Sequence, residues 1–158
     1  MPHQGRTPDR DETPDERADR NMAELLQELR VALPGVQVLF AFLLAVPFQP
    51  KFAEVTAFQE KAYFVVLLLS AAATAFLIAP SSYHRLNFAQ GDKPHIVRMA
   101  SRLAVIGMAL LALAMTGAVL LVTDYLFSST TTAITSAATV LMFAFLWFVL
   151  PLARRAQR

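Results

Sequence analysis

The sequence predicts an all-α integral membrane protein, an antiparallel four-helix bundle preceded by an amphipathic lead-in helix. Three observations lead to this fold class. Hydrophobic residues make up 56% of the 158-residue chain and charged residues only 16%, whereas about a quarter of a soluble domain is charged. Thirteen of the 26 charged residues lie within residues 1–30. The rest of the chain contains four apolar stretches, each long enough to cross a bilayer as a helix.

The N-terminal residues 1–21 are predicted to form a disordered cytoplasmic tail. They are rich in Pro, Asp, Glu and Arg and have no apolar periodicity, so they cannot bury enough surface to offset chain entropy. The segment near the start lacks the apolar region of a signal peptide, so we do not expect one. In "NMAELLQELRVALPG", Asn21 and Glu24 have the spacing of a helix start. One face of this amphipathic lead-in holds Leu25, Leu26, Leu29, Ala32 and Leu33.

The membrane domain is predicted to cover residues 22–152, followed by a short basic tail at 153–158. Its spans are predicted at about 31–48, 62–80, 103–122 and 132–152. At the helical rise these lengths give roughly 27–31 Å, which matches a hydrocarbon layer of about 30 Å. Pro34 is expected to bend a continuous first helix, and Pro80 to disrupt the second, with Ser81 capping a short new helix.

Basic residues predict the orientation of the four spans. Twelve of the 14 Lys and Arg lie on the side of the two termini, and only Lys51 and Lys61 lie on the other side. Loops that are rich in Lys and Arg stay in the cytoplasm. We therefore expect a multi-pass protein of the inner (plasma) membrane with both termini cytoplasmic. The formal net charge of +2 gives no reason to expect a nucleic-acid partner.

The four predicted spans contain no Asp, Glu, Lys, Arg or His. Groups of this kind carry proton relays, buried coupling sites and haem ligation, so none of these is expected inside the bundle. The chain also has no cysteine, which excludes thiolate catalysis and Cys-based metal sites. Gln37 is the one strongly polar side chain well inside the first span. It either contacts a ligand or ion beside the Pro34 bend, or hydrogen-bonds to a neighbouring helix or a freed carbonyl.

The segment "IAPSSYHRLNF" combines serine, histidine and arginine in a way that resembles a catalytic cluster. A catalytic triad also needs an orienting acid and an oxyanion hole, yet the nearby acid, Asp92, lies in a Gly91–Pro94 turn. A metal site is not expected either, because His84 and His95 have no third ligand near them in the sequence. We therefore predict no catalytic, cofactor or metal site and no enzyme. Tyr83, His84 and Arg85 are expected at headgroup depth, where they anchor the helix or recognise anionic lipid headgroups.

Two further patterns concern packing. Small residues recur at every fourth position, at Ala71, Ala75 and Ala79 in the second span and at Ala114 and Ala118 in the third. Such faces let helices approach closely, within one bundle or between copies. Aromatic residues near the outer boundary are expected to form an interfacial belt; they are Phe52, Phe58, Tyr63 and Tyr125.

The block "ELLQELRVALPGVQVLFAFLLAVPF", with "APSSYHRLNF" downstream, resembles a family of small bacterial four-span membrane proteins known only as a domain of unknown function. The resemblance covers about residues 22–152. It implies four spans and supplies no activity or catalytic residue. It directs attention to "PGVQ" and "YHR".

The sequence thus favours a structural or interaction protein, such as an accessory subunit, an envelope factor or a homo-oligomer, with membrane lipids or a membrane protein as partners. The alternative is a small transporter or channel that uses the Pro34–Gln37 bend. A third interpretation is lipid-headgroup binding at the cytoplasmic face. The candidate residues are Pro34, Gln37, Tyr83, His84 and Arg85.

Overall fold

The structure is a computed structural model that describes residues 12–87 and 93–156; at residues 87, 155 and 156 it describes the backbone only. All regular structure in these ranges is helical, which confirms the predicted all-α four-helix bundle. The helices are α1 (Pro14–Ala45), α2 (Ala57–Asn87), α3 (Lys93–Leu126), α4 (Ser129–Ala144) and α5 (Leu150–Ala156). Two 3-10 turns, Val46–Phe48 and Pro50–Glu54, connect α1 to α2, and a π-helical turn at Phe145–Val149 joins α4 to α5.

Four helical runs have the length and the apolar composition to cross a membrane: Pro14–Phe48, Ala57–Leu86, Lys93–Leu126 and Ser129–Arg154. This indicates a multi-pass membrane protein. The first three runs have 30 to 35 residues, which is roughly 45–52 Å of helix and more than the bilayer core of about 30 Å. The excess lies at one end of the bundle, formed by the start of α1, the end of α2 and the start of α3. We call it the basic end, because it carries Arg85, Lys93 and Arg98.

Helix α1 begins seven residues earlier than the Asn21 start that the sequence predicted, so the prediction of disorder is wrong for residues 14–21. Thr13 and Glu16 form a capping box: the Glu16 amide donates to Thr13 Oγ1 (3.3 Å) and the Thr13 amide donates to Glu16 Oε2 (2.9 Å). The Thr13 amide and the Thr13 hydroxyl both donate to the Glu16 carboxylate, and these two bonds lower the pKa of Glu16 from its usual value. Pro14 suits the first helical position, where no amide donor is needed. The remaining tail residues, 1–11, lie outside the described residues.

Packing against α3 also explains this longer helix. Met22 is buried in a cluster with Ile96 and Ala100, and Leu25, Leu26 and Tyr83 pack around it. Lys93 donates a 2.7 Å hydrogen bond to Asp19. The apolar face of the lead-in therefore packs against α3 from its first turns onward. These tertiary contacts stabilise a helix that its polar composition alone would not favour.

The two prolines inside spans both lie within continuous helices. The prediction of continuity is confirmed for Pro34. For Pro80 the prediction is wrong: α2 runs through it to Asn87, and Ser81 caps no new helix. Pro80 is fully buried against the rest of the bundle, and membrane helices tolerate such a proline because neighbouring helices support the interrupted turn.

Helices α2 and α3 form the central antiparallel pair. Contacts at three levels show the direction: Gln59 meets Asp124, Val66 lies at Gly117, and Leu77 lies at Gly107. The residues buried along this seam repeat at alternating spacings of three and four, as in left-handed helix pairs. On α2 they are Tyr63, Val66, Ser70, Ala73, Leu77 and Pro80; on α3 they are Ala100, Ala104, Gly107, Leu111 and Ala114.

Of the small residues predicted to pack closely, Ala114 is buried and Ala118 is half-buried, but the α2 set is rotated away from the seam. Ala75 is exposed, and Ala71 and Ala79 are only half-buried. The seam uses Ser70 and Ala73 instead. The Ser70 hydroxyl donates to the Leu67 carbonyl (2.8 Å), so this buried polar group is satisfied within its own helix.

Helix α1 packs against both α2 and α3, whereas α4 packs against α3. Thr132 and Phe143 are buried on α4, and the Phe143 and Trp147 rings lie 4.9 Å apart. Trp147 contacts the central apolar cluster. Several α4 hydroxyls donate to the carbonyl one turn earlier, as in Thr135 to Thr131 and Thr139 to Thr135, both 2.8 Å. These bonds make a threonine-rich helix compatible with lipid.

Candidate functional sites

The Pro34–Gln37 segment lies on the outside of the bundle. Val36 is fully buried, while Pro34 on the opposite side of α1 and Gly35 and Gln37 on its two flanks are exposed. A Cβ added at Gly35 would meet no heavy atom within 4 Å. We call the exposed surface formed by Pro34, Gln37, Val38, Ala41 and Phe42 the α1 outer face. Within one chain, Gln37 therefore lines no space between helices, so a single chain does not provide the pore that the transporter or channel alternative would need at this bend.

The Gln37 amide is also unusual for its depth. It lies seven residues after Arg30 and eleven before Phe48, roughly 10 Å and 16 Å along the helix axis. Among the hydrogen bonds of the described residues, none involves its side chain, so neither predicted internal partner, a neighbouring helix or a carbonyl near Pro34, is met within the chain. An amide exposed at this depth has no water to satisfy it.

The other predicted candidates lie together at the basic end, far along the chain from Gln37. Tyr83 and His84 are half-buried, and Arg85 is exposed. His84 borders a cavity of about 180 Å³ whose lining includes Ala18, Asp19 and Lys93. A shallower depression beside it is lined by Leu26, Ser81, His84 and Arg85.

An ion pair between Lys93 and Asp19 joins α3 to α1 at the basic end. Lys93 Nζ lies 2.7 Å from Asp19 Oδ2, and this hydrogen bond raises the pKa of Lys93 above its ordinary value. Lys93 is thus engaged by a carboxylate of α1. Arg85, Arg98 and Arg102 remain exposed. Within the ranges that the structure covers, no three His, Asp or Glu side chains come close enough to hold a metal ion; Asp92 lies outside those ranges.

A third feature, which the sequence did not predict, lies at the opposite end of the bundle. There an open apolar cavity of about 330 Å³, which we call the connection pocket, lies between the α1–α2 connection and the ends of α1, α2 and α3. Its walls come from the end of α1, the connection, the start of α2 and the end of α3. Representative wall residues are Leu43, Val55, Tyr63, Leu121 and Val122.

The connection pocket is held in shape by side-chain contacts across long sequence separations. The Tyr63 hydroxyl donates to the Leu43 carbonyl (3.0 Å), and the Phe52 ring meets the Tyr63 ring edge-on at 5.2 Å. Gln59 Nε2 donates to Asp124 Oδ2 at 2.9 Å. Tyr63 is therefore buried and structural, and its assignment to a lipid-facing belt is wrong. The sequence signal that could have revealed this pocket is the concentration of aromatic and amide residues between Phe48 and Tyr63.

A family model described as a family of unknown function (DUF6328) matches residues 11–151. This confirms the resemblance to an uncharacterised family and extends it upstream of residue 22, across the helix start at Pro14. No curated protein matches, and no solved structure matches.

Proposed function

Because the chain belongs to the family of unknown function (DUF6328), whose description assigns no activity, we propose a function from the structure alone: a membrane interaction protein that self-associates through the α1 outer face. The observation that carries this proposal is the exposed Gln37 amide near the middle of the first span. Glutamine side chains in membranes hydrogen-bond across helices. A second copy presents the same amide in return, as symmetric pairs do.

The neighbouring residues support such an interface. Ala41, one turn beyond Gln37, is small and exposed, and small residues let helix backbones approach closely in lipid. Val38 and Phe42, which are 56% and 70% exposed, flank the amide with apolar surface. Only 11% of the apolar window of the first span is buried within the chain, so most of α1 is available to a partner.

Replacing Gln37 with leucine tests this function. The change removes the amide but keeps the size and exposure of the side chain, so folding is expected to be retained. Loss of the paired hydrogen bonds is expected to weaken association by roughly three- to tenfold. Energy transfer between differently labelled copies in lipid vesicles measures this. The matched control is Val105→Leu, an apolar change at a position of α3 that is 52% exposed and lies outside the α1 outer face. Equal association of Q37L and wild type would contradict the proposal.

We also propose that the protein spans the plasma membrane with its basic end in the cytoplasm. The two termini, the α2–α3 connection and the basic end carry 12 of the 14 Lys and Arg, and such residues stay in the cytoplasm. Exposed Arg85, Arg98 and Arg102 suit contact with anionic headgroups of that leaflet, each contributing about 1 kcal/mol.

A further inference from the structure

The connection pocket has an interior that suits only apolar matter. Its surface is almost entirely carbon, from residues such as Leu43, Val46, Val55 and Leu121. Its volume, about 330 Å³, is near the lower limit of small-molecule sites, which run from about 300 to 1,000 Å³. A cavity of this volume accommodates one apolar chain of a ligand.

Two polar side chains in its walls are already engaged. Gln59 donates to Asp124 at 2.9 Å, and the Tyr63 hydroxyl donates to the Leu43 carbonyl at 3.0 Å. A ligand that needed hydrogen bonds from Gln59 or Tyr63 would have to displace these contacts, which is costly for buried groups. An apolar chain leaves them intact and gains the burial of its own surface.

The rim differs from the interior in one respect, because Lys51 borders the opening. Its side chain is exposed, and within the described part of the chain no carboxylate lies within salt-bridge distance of it. The acidic residues at this end of the bundle are Glu54, Glu60 and Asp124; none of them lines the pocket, and Asp124 accepts from Gln59. The charged residue among those that line the pocket is therefore a cation, Lys51.

From these features we propose that the connection pocket binds a single-chain anionic amphiphile, a long-chain fatty-acid carboxylate. The hydrocarbon chain fills the apolar interior, and the carboxylate lies at the rim beside the Lys51 ammonium. A lysine and a carboxylate pair most strongly where an apolar wall excludes water on one side. This site is separate from the α1 outer face and stands independently of self-association.

Charge variants at the two lysines of this end test the headgroup contact. Oleate binding to the purified full-length protein in a neutral detergent is measured by native mass spectrometry over an oleate titration. Wild type is expected to bind one oleate per chain. Lys51→Glu is expected to weaken binding about tenfold or more, and Lys51→Arg to retain it. The matched control is Lys61→Glu, which reverses an exposed lysine that does not line the pocket.

A second pair of variants tests the pocket itself. Val122 and Val105 are 58% and 52% exposed on the same helix, but only Val122 lines the pocket. Val122→Trp is expected to fill the opening and abolish oleate binding, whereas Val105→Trp leaves it unchanged. The proposal is overturned if K51E and K61E bind oleate equally, if the two tryptophan variants bind equally, or if the uncharged methyl ester binds as tightly as oleate.

Discussion

Replacing Gly107 with leucine is expected to lower the free energy of unfolding by about 3 kcal/mol or more, because it forces α2 and α3 apart. A Cβ at Gly107 would lie 2.8 Å from Leu77 Cγ and 3.1 Å from the Leu77 backbone nitrogen. The leucine side chain can rotate away from such a contact. The backbone nitrogen cannot move without shifting α2, which supplies the buried residues of the central seam.

The measurement is unfolding in mixed detergent, followed by circular dichroism at a protein dilution that leaves one chain per micelle. The matched control is Gly35→Leu, the same substitution in a helix, at a glycine with no heavy atom within 4 Å of the added carbon. It is expected to change stability by no more than about 1 kcal/mol, the size of the gain in helix propensity. Equal stability of the two variants would contradict the α2–α3 seam.

A double variant separates the two parts of the Gly107 contact. Gly107→Ala alone is expected to be destabilising. Combining it with Leu77→Ala removes the side-chain atoms at 2.8 and 2.9 Å but leaves the backbone contact at 3.1 Å. The two costs should therefore be less than additive, as expected for residues in direct contact.

The second prediction with a large effect concerns the orientation of the chain in the membrane, and its labelling result is all-or-none. The chain has no cysteine, so single introduced cysteines report without background. Thr56→Cys, in the exposed α1–α2 connection, is expected to react with a membrane-impermeant maleimide in intact cells. Gln90→Cys, in the α2–α3 connection, is expected to react only after the cells are permeabilised. The reverse pattern would overturn both the cytoplasmic orientation and the proposed headgroup contacts of Arg85.

The spans and the helical class could be predicted from sequence because they depend on local composition. Uncharged apolar runs of bilayer length have few alternatives to a helix. Thr13 and Glu16 have the residue types and spacing of a capping box, with Pro14 at the first helical position. This start of α1 was not predicted from the sequence because the surrounding charges suggested disorder. Those charges are tolerated because Met22 and Asp19 find partners on α3, and no local pattern reveals partners that are 74 residues away.

Side-chain direction was harder to predict than element type. Pro80 was expected to disrupt its helix, yet burial against the bundle keeps α2 continuous. Gln37 was identified as the notable polar residue of the first span, but periodicity could not decide whether it faced the bundle or the outside. The connection pocket depends on contacts such as Gln59 with Asp124, 65 residues apart, which only the assembled fold brings together.

Disulfide cross-linking in the native membrane tests self-association most directly. Ala41 lies one turn beyond Gln37 on the α1 outer face, and Ala75 is an exposed alanine on α2. A disulfide forms only if two Cα atoms come within about 7 Å. We predict that Ala41→Cys yields a disulfide-linked dimer on oxidation, that Ala75→Cys does not, and that adding Gln37→Leu reduces the Ala41→Cys dimer. Cross-linking at Ala75→Cys but not at Ala41→Cys would contradict an interface on α1.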